Sequence, residues 1–196
     1  MAELVSLYGV KILVLSAIAV CFFCSDGKAQ SVAEAYLGIP NDMVGYPDGR
    51  NTEQKQADLK KNPPKKGSGT LSISGEVQIS KYKTKNGAPI FVVAGGSFAE
   101  DRLKRLASVF QLDEKGKWAD VTDRYLPPLP EMVVNALFRK ACKSKKSLTN
   151  SASGTYRYVL PSKKGPIKGF VESDVAVCKR AIFKLSFDGY RFNMRI

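Results

Sequence analysis

Residues 182–196, IFKLSFDGYRFNMRI, alternate apolar and polar side chains on both sides of an Asp-Gly pair. Asp-Gly is a favoured two-residue turn between antiparallel strands. A turn at Asp188-Gly189 would place three apolar pairs on one face of a hairpin: Phe183 with Met194, Leu185 with Phe192, and Phe187 with Tyr190. A slip of one residue would move this apolar set into water, so the pattern predicts a strongly specified antiparallel hairpin.

The chain upstream contains more segments with the composition of strands. Apolar and polar residues alternate from 70 to 80, which predicts one half-buried strand that begins at Thr70. Shorter apolar or alternating runs predict further strands at 90–94, 106–112, 117–122, 156–160 and 167–172. Turn sequences at 85–87 and 113–116 separate neighbouring segments, so hairpins are the expected connections.

One segment, 130–142, has the spacing of an amphipathic helix. Pro128 and Pro130 suit a helix start. Five apolar residues then share one face: Val133, Val134, Leu137, Phe138 and Ala141. Cys142 follows on that face, and in an oxidising compartment we expect it to form a disulfide with Cys178. The expected fold class is therefore α+β, with antiparallel β-hairpins and one main helix at about 130–142.

The segment 30–69 differs in composition from the rest of the chain. Ser31 and Glu34 have the spacing of a capping box, which suggests a short helix within 30–45. Lysine and proline with few apolar residues dominate 46–69, which predicts an extended, mobile, basic stretch. We therefore expect 30–69 to be a low-order N-terminal segment and 70–196 to form a single α+β domain.

Residues 1–29 have the organisation of a secretory signal peptide. Lys11 precedes an apolar run that is too short to span a bilayer, and Ala29 marks the expected cleavage point. Phe23 stands before Cys24, where a lipoprotein signal needs a small residue, and this argues against a lipid anchor. We expect a periplasmic or secreted protein. The absence of Asn-x-Ser/Thr acceptors agrees with a bacterial one.

The composition narrows the possible chemistry. The chain has no histidine, and its 31 Lys and Arg against 18 Asp and Glu give a formal net charge of +13. Without histidine, Ser-His-Asp and Cys-His nucleophilic systems, histidine zinc ligation and a histidine pH switch are all excluded. Few enzymatic routes remain, and we expect no cofactor, no metal site and no catalytic residue.

Three short segments resemble small exported bacterial proteins of uncharacterised function. They are 115–122 (KGKWADVT), the following 125–127 (YLP) and the closing 183–192 (FKLSFDGYRF), and 36–40 (YLGIP) is similar to the opening segment of those proteins. In that family a Gly-Lys-Trp-x-Asp-Val-Thr hairpin precedes a Leu-Pro segment, and a C-terminal hairpin closes the domain. The resemblance implies export and a β-rich fold, and it brings no catalytic residue.

Lysines around the predicted helix end form the broadest candidate binding site. They are Lys140, Lys143, Lys145, Lys146, Lys163, Lys164 and Lys168. Brought together, they would attract an anionic glycan, a lipid headgroup, a nucleic acid or an acidic protein surface. Lysine acts as a point charge, which favours loose electrostatic contact. The alternative interpretation is a solvated surface that keeps an exported protein soluble.

The expected function is a non-enzymatic binding or accessory role at the cell envelope. One alternative is a secreted hydrolase that uses Asp120 and Asp123, with Glu131 nearby in sequence. Another is an inhibitor of an acidic secreted enzyme, since a basic protein would repel a basic target. Trp118, the only tryptophan, either packs in the core beside a turn or stacks on a ligand. The sequence indicates no oligomeric state.

Overall fold

The described part of the chain folds into two antiparallel sheets and several helices. A computed structural model describes residues 30–44, 50–64, 69–73, 77–95, 107–142, 155–163, 165–172 and 180–196. The helices in this part are α1 (Val32–Gly38), α2 (Asn41–Val44), α3 (Thr52–Lys61), α4 (Thr122–Tyr125) and α5 (Glu131–Cys142). The strands are β1 (Thr70–Ile73), β2 (Val77–Lys83), β3 (Pro89–Gly95), β4 (Ala107–Leu112), β5 (Trp118–Asp120), β6 (Thr155–Val159), β7 (Ile167–Glu172), β8 (Phe183–Phe187) and β9 (Phe192–Arg195).

The first five strands form sheet 1, in the order β1-β2-β3-β4-β5, and both of its faces are covered. β3 lies at its centre and is apolar without interruption, as expected of a strand buried on both sides. Successive side chains point to opposite faces, so Ile90 and Val92 enter one apolar cluster while Phe91 and Val93 enter another. Sheet 1 is thus the middle layer of the fold.

The N-terminal helices cover one face of sheet 1. Ser31 and Glu34 form the capping box that the sequence predicts, and α1 begins at the next residue. Val32, Tyr36 and Ile39 are buried against this face of the sheet. The prediction of an extended low-order segment over 30–69 therefore differs from the structure. The short helix expected within 30–45 is present as α1, but the lysine-rich part of the segment contains α3, which begins at a capping box of Asn51 and Gln54 and which the composition does not indicate.

The last four strands form sheet 2, in the order β6-β7-β8-β9, and its inner face joins α5 and sheet 1 in one core. Ile167, Phe183 and Leu185 are buried from the sheet side, and Leu137 and Phe138 are buried from α5. The β-rich α+β class is therefore confirmed. The expectation of one main helix is not, because α3 has ten residues against twelve in α5.

The C-terminal hairpin forms with a different register from the predicted one. Leu185 pairs with Met194 and Phe187 with Phe192, so four residues, 188–191, make the connection. The Asp188 carboxylate accepts hydrogen bonds from the backbone N–H groups of Tyr190 and Arg191 and closes this longer loop. The shift is by two residues, so the side chains keep their faces and the apolar set stays buried.

The alternating stretch 70–80 is two strands instead of the one that the sequence predicts. β1 and β2 pair with Leu71 opposite Ile79 and Ile73 opposite Val77. All four of these side chains are buried in the same cluster. A period of two is preserved through such a hairpin, so the pattern could identify the buried face but not the turn.

Candidate functional site: the basic outer face of sheet 2

The structure places three of the seven predicted binding lysines, and all three are exposed. Lys140 lies on α5, Lys163 in the loop between β6 and β7, and Lys168 on β7. The other four (Lys143, Lys145, Lys146 and Lys164) lie outside the described residues, as does Cys178. Cys142 ends α5 and is half-buried. Because Cys178 lies outside the described residues, the bridge between the two cysteines stays a prediction.

Lys168 belongs to a row of cations on neighbouring strands. It lies directly opposite Lys184 of β8, and Lys184 lies directly opposite Arg195 of β9. All three side chains are exposed, whereas the flanking Ile167 and Leu185 are buried, so the three point away from the core. We call Lys168, Lys184 and Arg195 the cation row.

The cation row is unfavourable for folding by itself. Like charges directly opposite each other on paired strands repel, because neighbouring strands are only about 4.8 Å apart. None of the three forms an ion pair with a described carboxylate. The row therefore presents uncompensated positive charge to solvent.

Uncharged side chains border the cation row on the same face of sheet 2. Ser186 and Asn193 pair with each other two residues closer to the β8–β9 loop than Lys184 and Arg195, and both are half-buried. The Asn193 amide donates to the Asp188 carboxylate at 2.7 Å, which fixes that side of the face. Phe170 lies two residues from Lys168 on β7 and is half-buried. The face thus offers cations, a hydroxyl group and an apolar ring.

Sequence reasoning missed two of the three members of this row. With the predicted two-residue turn, Lys184 would face Asn193, and Arg195 would have no partner on β8. The four-residue loop brings Arg195 opposite Lys184 instead. The charge alternation in β8 and β9 was visible in the sequence, but only the true register shows that the charges align.

Of the carboxylates considered for hydrolysis, Asp120 serves local structure. Asp120 accepts hydrogen bonds from the backbone N–H and the hydroxyl group of Thr122, and the Thr122 hydroxyl accepts from the Val109 N–H. These contacts link the end of β5 to α4 and to β4. Asp123 is exposed on α4, and the Glu131 side chain lies outside the described residues. This geometry gives Asp120 a role in the strand-to-helix turn.

Trp118 packs between the sheet and the N-terminal helices. Its ring meets Phe91 edge-on with centroids 5.6 Å apart. A Cβ added at Gly38, the last residue of α1, would come within 2.7 Å of the indole nitrogen. The half-buried ring therefore fills the contact between α1 and β5, which agrees with the packing interpretation.

A cluster of polar side chains joins α1 to α3. The buried Lys55 ammonium donates to the Ile39 carbonyl oxygen at 2.8 Å, and burial lowers the pKa of Lys55. The Tyr36 hydroxyl donates to the Asp58 carboxylate at 2.8 Å, and Arg50 pairs with the same carboxylate. Burial, together with the Asp58 contact, raises the pKa of Tyr36. Each polar group binds a protein partner, so the cluster fastens α3 to the fold.

No three His, Cys, Asp or Glu side chains in the described segments gather as a metal site would require. Among the helices of the described ranges, none is long and apolar enough to cross a membrane. No family model matches the chain, and no curated protein or solved structure matches it significantly.

Proposed function

We propose that this chain is an exported, non-enzymatic binding protein whose basic outer face on sheet 2 holds an anionic partner. The observation that carries the proposal is the cation row, in which Lys168, Lys184 and Arg195 align on three adjacent strands and point to solvent. Sheet 2 packs on the core that it shares with α5 and sheet 1, and this core supports the row from the inner side. An anion that binds it removes the repulsion between the aligned charges.

The overall charge supports the same function. A formal net charge of +13 attracts polyanions over long distances and raises their association rate. Lys140 and Lys163 are exposed and add to this field, so the lysines predicted from the sequence still contribute to attraction. Because such contacts are electrostatic, binding should weaken steeply as salt is raised.

The test compares two variants of equal charge. Lys168→Gln/Lys184→Gln/Arg195→Gln removes the cation row, and Lys60→Gln/Lys61→Gln/Lys115→Gln removes three exposed lysines from α3 and the β4–β5 turn. We expect the first variant to elute from immobilised heparin at clearly lower salt than the second. Equal elution of both variants would refute the site, and elution of the wild type that does not depend on salt would refute the electrostatic mechanism.

Export and the disulfide belong to the same proposal. The signal-like residues 1–29 and the pairing of Cys142 with Cys178 both suit an oxidising compartment. Intact mass under non-reducing conditions tests both features. We expect a mature chain that begins at Gln30 and is two hydrogens lighter than its reduced form. A retained N-terminus or two titratable thiols would contradict the respective feature.

A further inference from the structure

We propose that the partner of this face is an extended anionic polysaccharide that lies across the strands of sheet 2 along the cation row. The inference rests on the proposed function and specifies the ligand of the same site. Its basis is the shape of the charge distribution: one cation per strand at three directly paired positions, Lys168, Lys184 and Arg195.

The row defines a line of roughly 10 Å with a cation at every strand spacing of about 4.8 Å. A linear polymer with an acidic group on successive units can follow such a line and place one anion on each cation. The line runs perpendicular to the strands. A chain bound along it therefore makes side-chain contacts across the sheet and does not need the hydrogen bonds of a strand edge.

The residues beside the row suit a hydroxyl-rich polymer. The Ser186 hydroxyl can both donate and accept hydrogen bonds, and it lies on the same face between Lys184 and the loop. Two of the three cations are lysines, whose compact ammonium groups bind sulfate or carboxylate as point charges. The face therefore combines contacts for acidic groups with contacts for sugar hydroxyls.

The described surface fits a membrane or a single-stranded nucleic acid less well. An apolar face beside the cations strengthens membrane-surface binding, but the exposed large apolar residues of the described chain lie on separate elements: Met132 on α5, Tyr190 in the β8–β9 loop and Ile196 after β9. Single-stranded nucleic acid stacks its bases on exposed aromatic rings. On this face the described aromatic residue is Phe170, which is half-buried.

The decisive variant keeps the charge and the face but breaks the line. Lys184→Gln/Ser186→Lys moves the middle cation two residues along β8, about 7 Å from the row. The probe is a heparin hexasaccharide, measured by isothermal titration with the full mature chain, and thermal unfolding confirms that each variant is folded. We expect the rearranged variant to bind roughly 10-fold more weakly than wild type, and the triple row variant roughly 10- to 100-fold more weakly.

The salt dependence gives a second measure. Removal of three contacts to a charged polymer should make the negative slope of log K against log salt shallower by about 2, while the Lys60, Lys61 and Lys115 control keeps the wild-type slope. If the rearranged variant binds like wild type, alignment is irrelevant and this inference fails, but the proposed function stands. If the triple row variant also binds like wild type, both fail. Tighter binding to an oligothymidylate or to phosphatidylglycerol vesicles than to the hexasaccharide would overturn the polysaccharide assignment.

Discussion

At the scale of single residues, the clearest anomaly is the hydroxyl group of Tyr82. It is buried and has no hydrogen-bond partner among the described residues, while its ring meets Phe187 and Phe192 edge-on. A buried polar group without a partner costs about 1–3 kcal/mol. Burial also raises the pKa of Tyr82 to about 12. The Tyr82 ring therefore stabilises the fold by packing, whereas its unpaired hydroxyl group destabilises it.

We predict that Tyr82→Phe stabilises the fold at neutral pH by about 1 kcal/mol, because it keeps the ring and removes the unpaired hydroxyl. Since the folded-state pKa is above the ordinary 10.0, wild-type stability should fall as pH rises from 10 to about 12. The variant should lose less stability over that range. Urea unfolding at pH 7, 10 and 11.5 measures both effects, and an identical alkaline loss in the two proteins would contradict the assignment.

A second residue-scale prediction concerns Gly169 of β7. A Cβ at this position would lie 2.2 Å from the Phe183 ring, which itself meets Tyr158 edge-on. Gly169→Ala should therefore destabilise the protein by about 1–3 kcal/mol through overpacking. Gly165→Ala is the matched control, since its nearest neighbour would be the Pro161 side chain at an ordinary 3.5 Å. Equal melting temperatures for the two variants would rule out this close packing.

At the scale of elements, local patterns gave the strands and the helix α5 well but left the turns uncertain. The alternation in β8 and β9 fixes which side chains face the core, whatever the loop length. The loop itself depends on hydrogen bonds from Asp188, and Asp-Gly can begin more than one kind of turn. Similarly, alternation across 70–80 could not show where β1 ends. The polar helix α3 was not predicted, because polar contacts such as the hydrogen bond of the buried Lys55 hold it in place and a hydrophobic pattern does not reveal such contacts.

The element-scale prediction tests the loop that sets the register. Asp188→Ala should destabilise the β8–β9 hairpin, because the carboxylate accepts from two backbone amides and from Asn193. The pKa of Asp188 is lowered most by the hydrogen bond from the Arg191 backbone N–H, and then by those from the Tyr190 backbone N–H and the Asn193 side chain. The contribution of Asp188 to the free energy of unfolding is therefore present above the ordinary pKa of 3.8 and is lost as the pH falls below that value.

Amide exchange of 183–195 at pH 6 and a melting curve from pH 6 to 2.5 would measure these effects. Glu114→Ala in the exposed β4–β5 turn serves as control and should leave the exchange of the hairpin unchanged. The prediction is wrong if Asp188→Ala exchanges as slowly as wild type at pH 6. It is also wrong if wild type and variant have the same acid dependence.

At the scale of the whole molecule, sheet 1 depends on its N-terminal cover. The helices α1, α2 and α3 cover one face of the sheet, including Phe91 and Phe110, whereas composition alone suggested a mobile arm. The cation row is likewise a property of the assembled sheet. The sequence contained its three residues, but their alignment comes from two strand registers that no local pattern specifies.

We predict that a chain that begins at residue 69 does not fold as the mature chain does. Its loss of the helical cover would expose a large apolar face, and such faces associate in water. Size-exclusion chromatography and circular dichroism of 69–196 against 30–196 would test this. A monomeric, cooperatively melting 69–196 would show instead that the cover is dispensable.

The double covering of β3 also makes this strand a reporter of global stability. Both of its neighbours are strands, and each face lies under a separate layer, so its amide protons meet solvent only when the entire structure opens. Protons on β9, an edge strand of sheet 2, can exchange through local fraying. A ligand that stabilises only the edge of sheet 2 would therefore slow deuterium uptake at β9, whereas a ligand that stabilises the whole protein would slow it at β3 as well.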